Sequence, residues 1–171
     1  MKIRLASEVV FDSIVDGEGL RAVIYTQGCK HRCKDCHNSQ TWDFAGGIVV
    51  EADDVVNEIG ENILNPYVTF SGGDPFEQAE ACGYILLRLK ELGKENFWAY
   101  TGYLWEDLIY ETSKHYTKER YDFLKELDVL VDGRFDIDLK SYDLNYKGSG
   151  NQRVIDVQRS LKEGKVVLKY E

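Results

Sequence analysis

Short apolar runs alternate with helical periodicity through the middle of this chain, and that alternation constrains the fold more than any other feature. Arg21 to Gln27 (RAVIYTQ), Tyr67 to Ser71 (YVTFS), Asn96 to Thr101 (NFWAYT) and Asp128 to Val131 (DVLV) read as strands. The first is β-rich and apolar on consecutive positions, as a buried parallel strand would be. Between the strands, Glu51 to Leu64 repeats Val55, Val56, Ile59 and Ile63 at helical spacing and stops at Pro66. Phe76 to Leu92 puts Phe76, Ala79, Gly83, Leu86 and Leu89 on one face and ends at Gly93. Further helical segments are expected around Leu104–Glu111 and Arg120–Leu127, with a charged linker between them. The resulting order, β-α-β-α-β-α-β, implies parallel strands joined by right-handed crossovers, with the helices on the sheet's outer face. Outside this core, Asp16 to Gly19 is a turn signal and Asp138 to Gln152 a long polar loop. Arg153 to Ser160 and Val166 to Tyr170 read as a short C-terminal β-hairpin around Lys162-Glu163-Gly164-Lys165.

The chain of 171 residues, 43% hydrophobic, suits one domain over residues 1–171; two domains of half that size would each have a marginal core. A net charge of −9 argues against a nucleic-acid backbone or an anionic membrane as partner, since both need a clustered positive field. Lys114, His115, Lys118 and Arg120 form a short basic cluster, but Glu111 and Glu119 bracket it, so it reads as a solvated face. No apolar run approaches the ~18–20 residues of a transmembrane helix. The start, Met1-Lys2-Ile3-Arg4, leads into no apolar signal region. A cytoplasmic location is therefore expected. Thiols stay reduced there, which makes clustered cysteines metal ligands sooner than disulfides.

Each core strand ends in something chemically pointed: Cys29 to Cys36, Gly72-Gly73-Asp74, Thr101-Gly102, and Asp132-Gly133-Arg134. Parallel α/β proteins bind ligands beyond the carboxyl ends of their strands, so these loops are expected to meet around one site. The spacing Cys29-x3-Cys33-x2-Cys36 lets one compact loop turn three sulfurs inward. Two kinds of centre fit. Zinc would need a further ligand, which His31 or His37 can supply. An iron–sulfur cubane held by three cysteines would keep one iron open to a substrate or cofactor. Cys82, inside a helical segment, reads as a small buried hydrophobe. In Ser71-Gly72-Gly73-Asp74-Pro75 the paired glycines let backbone approach a ligand closely, and the adjacent carboxylate can hold an ammonium group.

A CxxxCxxC loop after the first strand, followed by a Gly-Gly-acid loop after the second, resembles the radical S-adenosylmethionine enzymes. Further blocks narrow the resemblance. Val15-Asp16-Gly17-Glu18-Gly19 and Tyr25-Thr26-Gln27-Gly28-Cys29 are similar to the entry segment of the glycyl-radical-enzyme activases. His37 to Trp42, Ser71 to Pro75, Tyr100 to Tyr103, Val129 to Phe135 and Gly148 to Arg153 resemble one branch, the activating proteins of anaerobic (class III) ribonucleoside-triphosphate reductases. The resemblance implies a partial, open β/α barrel of the radical S-adenosylmethionine type. It implies a 4Fe-4S cluster on Cys29, Cys33 and Cys36, with the fourth iron chelating the amino and carboxylate groups of S-adenosylmethionine. Gly72, Gly73 and Asp74 would hold the methionyl amine, and Thr101, Asp132 and Arg134 would lie near the cofactor. The implied activity is reductive cleavage of S-adenosylmethionine and formation of a glycyl radical on the large subunit of the reductase. An external one-electron donor such as a flavodoxin would supply the electron. The chain departs from the pattern at Asp35, where many members carry an aromatic residue, and at Glu18, where the entry motif usually has proline. Tyr103, Trp105 and Trp42 read as core packing sooner than as a docking face, and His31 and His37 as loop residues around the cluster. Two rival readings share parts of this motif set: a radical enzyme acting on a small nucleobase-related molecule, and a non-catalytic zinc or iron–sulfur module.

Overall fold

The computed structural model describes residues 1–170. Its strands and helices follow in chain order as β1 (Lys2–Leu5), β2 (Val10–Ser13), β3 (Arg21–Thr26), β4 (Ile48–Glu51), α1 (Ala52–Glu61), β5 (Tyr67–Gly72), α2 (Ala79–Glu91), β6 (Glu95–Tyr100), α3 (Trp105–Ile109), α4 (Lys118–Leu124), β7 (Val129–Asp132), β8 (Arg153–Asp156) and α5 (Val157–Glu163). The four runs expected as strands are β3, β5, β6 and β7, and they pair side by side in parallel. Antiparallel strands flank them in the order β4-β1-β3-β5-β6-β7-β8, and β2 also pairs with β3. The ends of this order, β4 and β8, do not pair with each other, so the sheet is an open β/α barrel.

Alternation along the strands separates two faces, because successive side chains point to opposite sides. Val68 and Phe70 of β5, Phe97 and Ala99 of β6 and Leu130 of β7 enter the main core, with Ile59 of α1, Leu86 of α2 and Phe123 of α4. Trp98, Val129, Val131 and Val154 form a second cluster on the other face, joined by Tyr100, Tyr146 and Tyr170. Helices therefore cover one face. The other is covered by the polar stretch and the C-terminal segment, where Tyr146 meets Trp98 edge-on at 5.2 Å.

At the amino ends of the parallel strands, Arg21 is fully buried, and among the described residues no carboxylate pairs with it. Its Nε donates to Thr69 Oγ1 at 2.8 Å and its Nη1 to Asn96 Oδ1 at 2.8 Å, and its plane lies between the rings of Tyr67 and Trp98. Burial lowers its pKa to about 10. This plug closes the end of the sheet away from the cysteine loop.

Several boundaries differ from expectation for physical reasons. β1, β2 and β4 went unread: each is only four residues long, and β2 and β4 are largely exposed, so even the apolar run Ile48–Val50 does not mark a core strand. The helix expected from Glu51 begins at Ala52 and ends at Glu61, so Ile63 is 88% exposed instead of on the helix's buried face. The first turn of the next helix is a 3-10 turn, Pro75–Gln78, capped by Asp74. At the C-terminus the antiparallel pairing expected of a hairpin is present: Asp156 N–H donates to Val167 O at 2.9 Å and Lys169 N–H to Val154 O at 2.8 Å. Its connection is the helix α5 instead of a tight turn. Asp156 caps that helix through Arg159 N–H, and Gly164, at φ 71, ends it. Among the described residues, no helix is long and apolar enough to cross a membrane.

Candidate functional site

The carboxyl ends of β3, β5, β6 and β7 open onto a cavity of about 210 Å³. The cysteine loop supplies Cys29, Cys33, Cys36 and both neighbouring histidines to its wall, and the β5 loop supplies Ser71, Gly72 and Gly73. Tyr100, Thr101 and Gly102 line it from β6, and Gly133 and Phe135 from β7. The four strand ends thus converge as expected.

The cysteine spacing works through sharp local turns. Arg32 and Asp35, the residues before Cys33 and Cys36, both take left-handed backbone, at φ 52 and 58. Each reversal falls one residue before a thiol, and Cys36 N–H closes the second turn on Cys33 O at 3.1 Å. An aspartate tolerates that conformation well, which gives Asp35 a backbone role in the loop. All three cysteines are free, Cys29 buried and the others half-buried. Burial pushes the Cys29 thiol up to about 11, against the backbone N–H groups of His31 and Arg32. Burial also raises Cys33, partly offset by the Phe135 backbone and the nearby Arg134 charge. Iron or zinc must displace those protons, and the soft thiolate set suits either metal. All three thiols line one shared cavity, a donor set that a multi-iron cluster can use. Cys82 is fully buried in α2, and burial raises its thiol, as expected for a packed hydrophobe.

The Gly-Gly loop lies directly against the cysteine loop. Gly73 N–H donates to Thr26 O at 2.7 Å and Asp74 N–H to Gly28 O at 2.9 Å. A Cβ on Gly73 would sit 2.4 Å from the Gly28 carbonyl oxygen, and one on Gly72, at φ 102, would sit 2.4 Å from Thr26 N. Glycine is required at both positions by the closeness of the two backbones.

The acidic residues behave differently from the glycines. Asp74 does not line the cavity; its side chain is fully buried behind it. Its carboxylate accepts from His31 Nε2 at 2.7 Å, Gly102 N–H at 3.0 Å, Phe76 N–H at 2.9 Å and the Thr101 hydroxyl at 2.8 Å. Asp132 is also buried away from the cavity, paired with Arg153 at 2.5 Å and accepting Trp105 N–H at 2.7 Å. Arg134 lines an adjoining recess with His31, Tyr103 and His115.

Two further walls escaped the sequence reading. Gly148 and Gln152 close the cavity from the polar stretch expected as a loop. Gln152 Nε2 donates to Gly133 O at 2.9 Å while its Oε1 accepts Gly148 N–H at 2.8 Å. Asn151 Nδ2 donates to Arg134 O at 2.7 Å. Asn151, Gln152 and Arg153 thus grip Arg134, Gly133 and Asp132 in turn. The amide-rich sequence was a signal for such a strap, but its target could not be read without the topology.

Tyr103 and Trp105 are 2% exposed, so they are core residues. Arg120 corrects the reading of a solvated basic face. It lies over the Tyr103 ring at 4.6 Å, donates to Phe76 O at 3.0 Å and faces the half-buried Glu77 at 3.6 Å.

Residues 15–155 match the family described as a 4Fe-4S single cluster domain. The anaerobic ribonucleoside-triphosphate reductase-activating protein of Haemophilus influenzae is 31% identical over 81% of this chain and 89% of that protein. The protein of the same name from Enterobacteria phage T4 is 30% identical over 82% of this chain and 86% of its own length. Among solved structures, QueE from Escherichia coli overlays with a TM-score of 0.49 at 17% identity, over 59% of this chain and 52% of that one, too distant to carry an argument. The family match spans the cysteine loop, the Gly-Gly loop and the strap, and together with these relatives it shows that this chain belongs to the family of anaerobic ribonucleoside-triphosphate reductase-activating proteins, with a 4Fe-4S single cluster domain.

Proposed function

We propose that this chain is an activase that cleaves S-adenosylmethionine reductively and leaves a glycyl radical on the large subunit of an anaerobic ribonucleoside-triphosphate reductase. The observation that supports it most is the shared cavity: three free thiols and the Gly-Gly backbone line one pocket at the strand ends. When bound, the cluster and S-adenosylmethionine would supply one-electron reductive cleavage of the sulfonium, with methionine as the leaving group, and hydrogen abstraction from a glycine Cα.

The protein's part is binding and position. Cys29, Cys33 and Cys36 hold the cluster as thiolates, and Arg134 favours the charged form at Cys33. The backbone of Ser71, Gly72 and Gly73, which lines the cavity, receives the amine end of S-adenosylmethionine. Thr101, which lines the cavity, bounds the same end. Asp74 serves from behind, by holding this loop, and Asp132 by holding the strand end that carries Gly133. Fixing both reactants in one small cavity raises their effective concentration, and the surrounding wall limits water near a reactive radical. The open sheet leaves room for a folded partner's glycine loop to approach. A flavodoxin-type donor delivers the electron.

The test is anaerobic electron paramagnetic resonance on the reconstituted, reduced protein mixed with S-adenosylmethionine and a reductase large subunit. A glycyl-radical doublet that needs every component is the expected result. Formation of 5′-deoxyadenosine without the large subunit, dependent instead on a small nucleobase-related molecule, would replace the partner assignment.

A further inference from the structure

We propose that His31 is a positioning residue: through Asp74 it sets the separation of the cysteine loop from the Gly-Gly loop, and so aligns S-adenosylmethionine with the cluster. The inference rests on the S-adenosylmethionine reading above and adds a residue and a role to it.

His31 stands between Cys29 and Cys33, and its side chain is 4% exposed. A carboxylate only accepts hydrogen bonds, so His31 Nε2 carries the proton in its 2.7 Å contact with Asp74 Oδ2. That oxygen also accepts Gly102 N–H, while Thr101 Oγ1 reaches both oxygens, at 3.0 and 2.8 Å. One buried carboxylate therefore collects donors from the cysteine loop, its own loop and the end of β6. The ring is fixed from two further sides. It meets Tyr103 edge-on at 4.5 Å, and it fills the space beside Gly102, where a Cβ would lie 2.5 Å from the ring.

Backbone bonds from Gly73 and Asp74 already tie the Gly-Gly loop to the chain just before Cys29. They do not fix the part of the cysteine loop that runs on to Cys33 and Cys36. The imidazole does, because it lies beyond Cys29 and reaches back across to Asp74. His31 Nδ1 is buried with no hydrogen-bond partner among the described residues. Replacing the ring by a side chain that keeps only the Nε2 donor therefore removes no other protein hydrogen bond, which makes the positioning bond separable by mutation.

The experiment uses the full chain, reconstituted with iron and sulfide, and titrates S-adenosylmethionine against the electron paramagnetic resonance signal of the reduced cluster. His31→Phe keeps a flat ring and loses the donor. His31→Gln places an amide N–H near the former Nε2. The expected outcome is wild-type iron content in both, a rise of about tenfold or more in the S-adenosylmethionine concentration needed by His31→Phe, and a rise of at most about threefold for His31→Gln. A wild-type titration curve for His31→Phe overturns the inference while leaving the S-adenosylmethionine reading intact. Loss of iron from both folded variants overturns it in favour of an imidazole ligand. A wild-type cluster that ignores S-adenosylmethionine sinks the underlying reading and the inference with it. Should circular dichroism show His31→Phe unfolded, His31→Asn against His31→Gln carries the same test. The shorter amide cannot reach Asp74, so only the asparagine variant should need the raised concentration, and equal curves for the two would overturn the inference.

Discussion

Arg153 and Asp132 form a two-pronged ion pair across β7 and β8: Nε lies 3.0 Å from Oδ1 and Nη2 lies 2.5 Å from Oδ2, with the carboxylate fully buried. The same carboxylate receives the first backbone N–H of α3, at Trp105. A single charge thus joins the last parallel strand, the antiparallel strand beside it and the helix that follows β6.

Removing the cation should be costly, because it strands a buried charge with one backbone donor. Arg153→Leu is expected to lose about 3–5 kcal/mol of unfolding free energy. Arg153→Lys keeps the charge but not the fork, and should lose about 1–3 kcal/mol. Urea unfolding of the metal-free protein, followed by circular dichroism, measures both. A loss under about 1 kcal/mol for the leucine variant would mean that Asp132 finds another partner or a proton.

Arg153 also binds Glu106 at 2.8 Å and holds its carboxyl below the ordinary value of 4.5. The sign follows from the lowered folded-state pKa. The stabilisation is complete above the unfolded value and is lost as pH falls through the lower folded one. Glu106 is 44% exposed, so solvent screens the pair and its worth is under about 1 kcal/mol. Glu106→Gln should therefore be slightly less stable than wild type at neutral pH and match it well below pH ~4. Thermal midpoints across that range, at low and high salt, check both the direction and the screening. A gap that widens on acidification would contradict the assignment.

The parallel core was legible because β3, β5, β6 and β7 are apolar runs punctuated by glycine, and because parallel topology sends their ends to one place. Three short antiparallel strands beside that core were not legible, since four-residue pieces such as Ile48–Glu51 owe their structure to pairing with β1 instead of to local pattern. That the cysteine loop and Gly72-Gly73 would line one cavity was legible because both follow parallel strands, whereas the spacing of the cysteines left zinc and an iron–sulfur cluster both open. Asp74 and Asp132 were readable as important, but their direction was not. Whether a carboxylate faces a ligand or a buried donor set depends on partners such as His31 and Arg153, distant in sequence. Arg120 shows the same limit, since nothing local distinguishes a solvated arginine from one stacked on Tyr103.

The two classes of cysteine should separate cleanly. Cys33→Ala removes a thiol that lines the cavity, so the reconstituted variant is expected to lose the cluster's absorbance and its cofactor-dependent signal. Cys82→Ala leaves the cavity untouched and should retain wild-type iron content, at a cost of about 1 kcal/mol for the small void left in α2. Iron and sulfide analysis with a urea titration distinguishes them. Iron loss from Cys82→Ala, or full iron retention with cofactor response in Cys33→Ala, would reverse the assignment of ligands.

Two glycine-to-alanine changes should have opposite effects. At Gly73 the new methyl would fall 2.4 Å from the Gly28 carbonyl oxygen, a backbone atom that cannot rotate away. The Gly-Gly loop must then lift off the strand that leads to Cys29, weakening the bonds from Gly73 to Thr26 and from Asp74 to Gly28. Gly73→Ala is expected to lose about 2–3 kcal/mol of stability through those bonds and the overpacking. It should also need about tenfold more S-adenosylmethionine to perturb the cluster signal, with the iron still bound. Gly83 lies inside α2, and its methyl would rest 3.7 Å from Phe123, an ordinary contact. Gly83→Ala should therefore raise stability by about 0.5–1 kcal/mol, because alanine loses less backbone freedom in a helix, and should leave the cofactor titration unchanged. Measured side by side, the pair distinguishes a requirement for close backbone approach at the site from a general sensitivity of the fold to glycine replacement. Equal behaviour of the two variants would remove the argument that Gly73 is held by its neighbour's carbonyl.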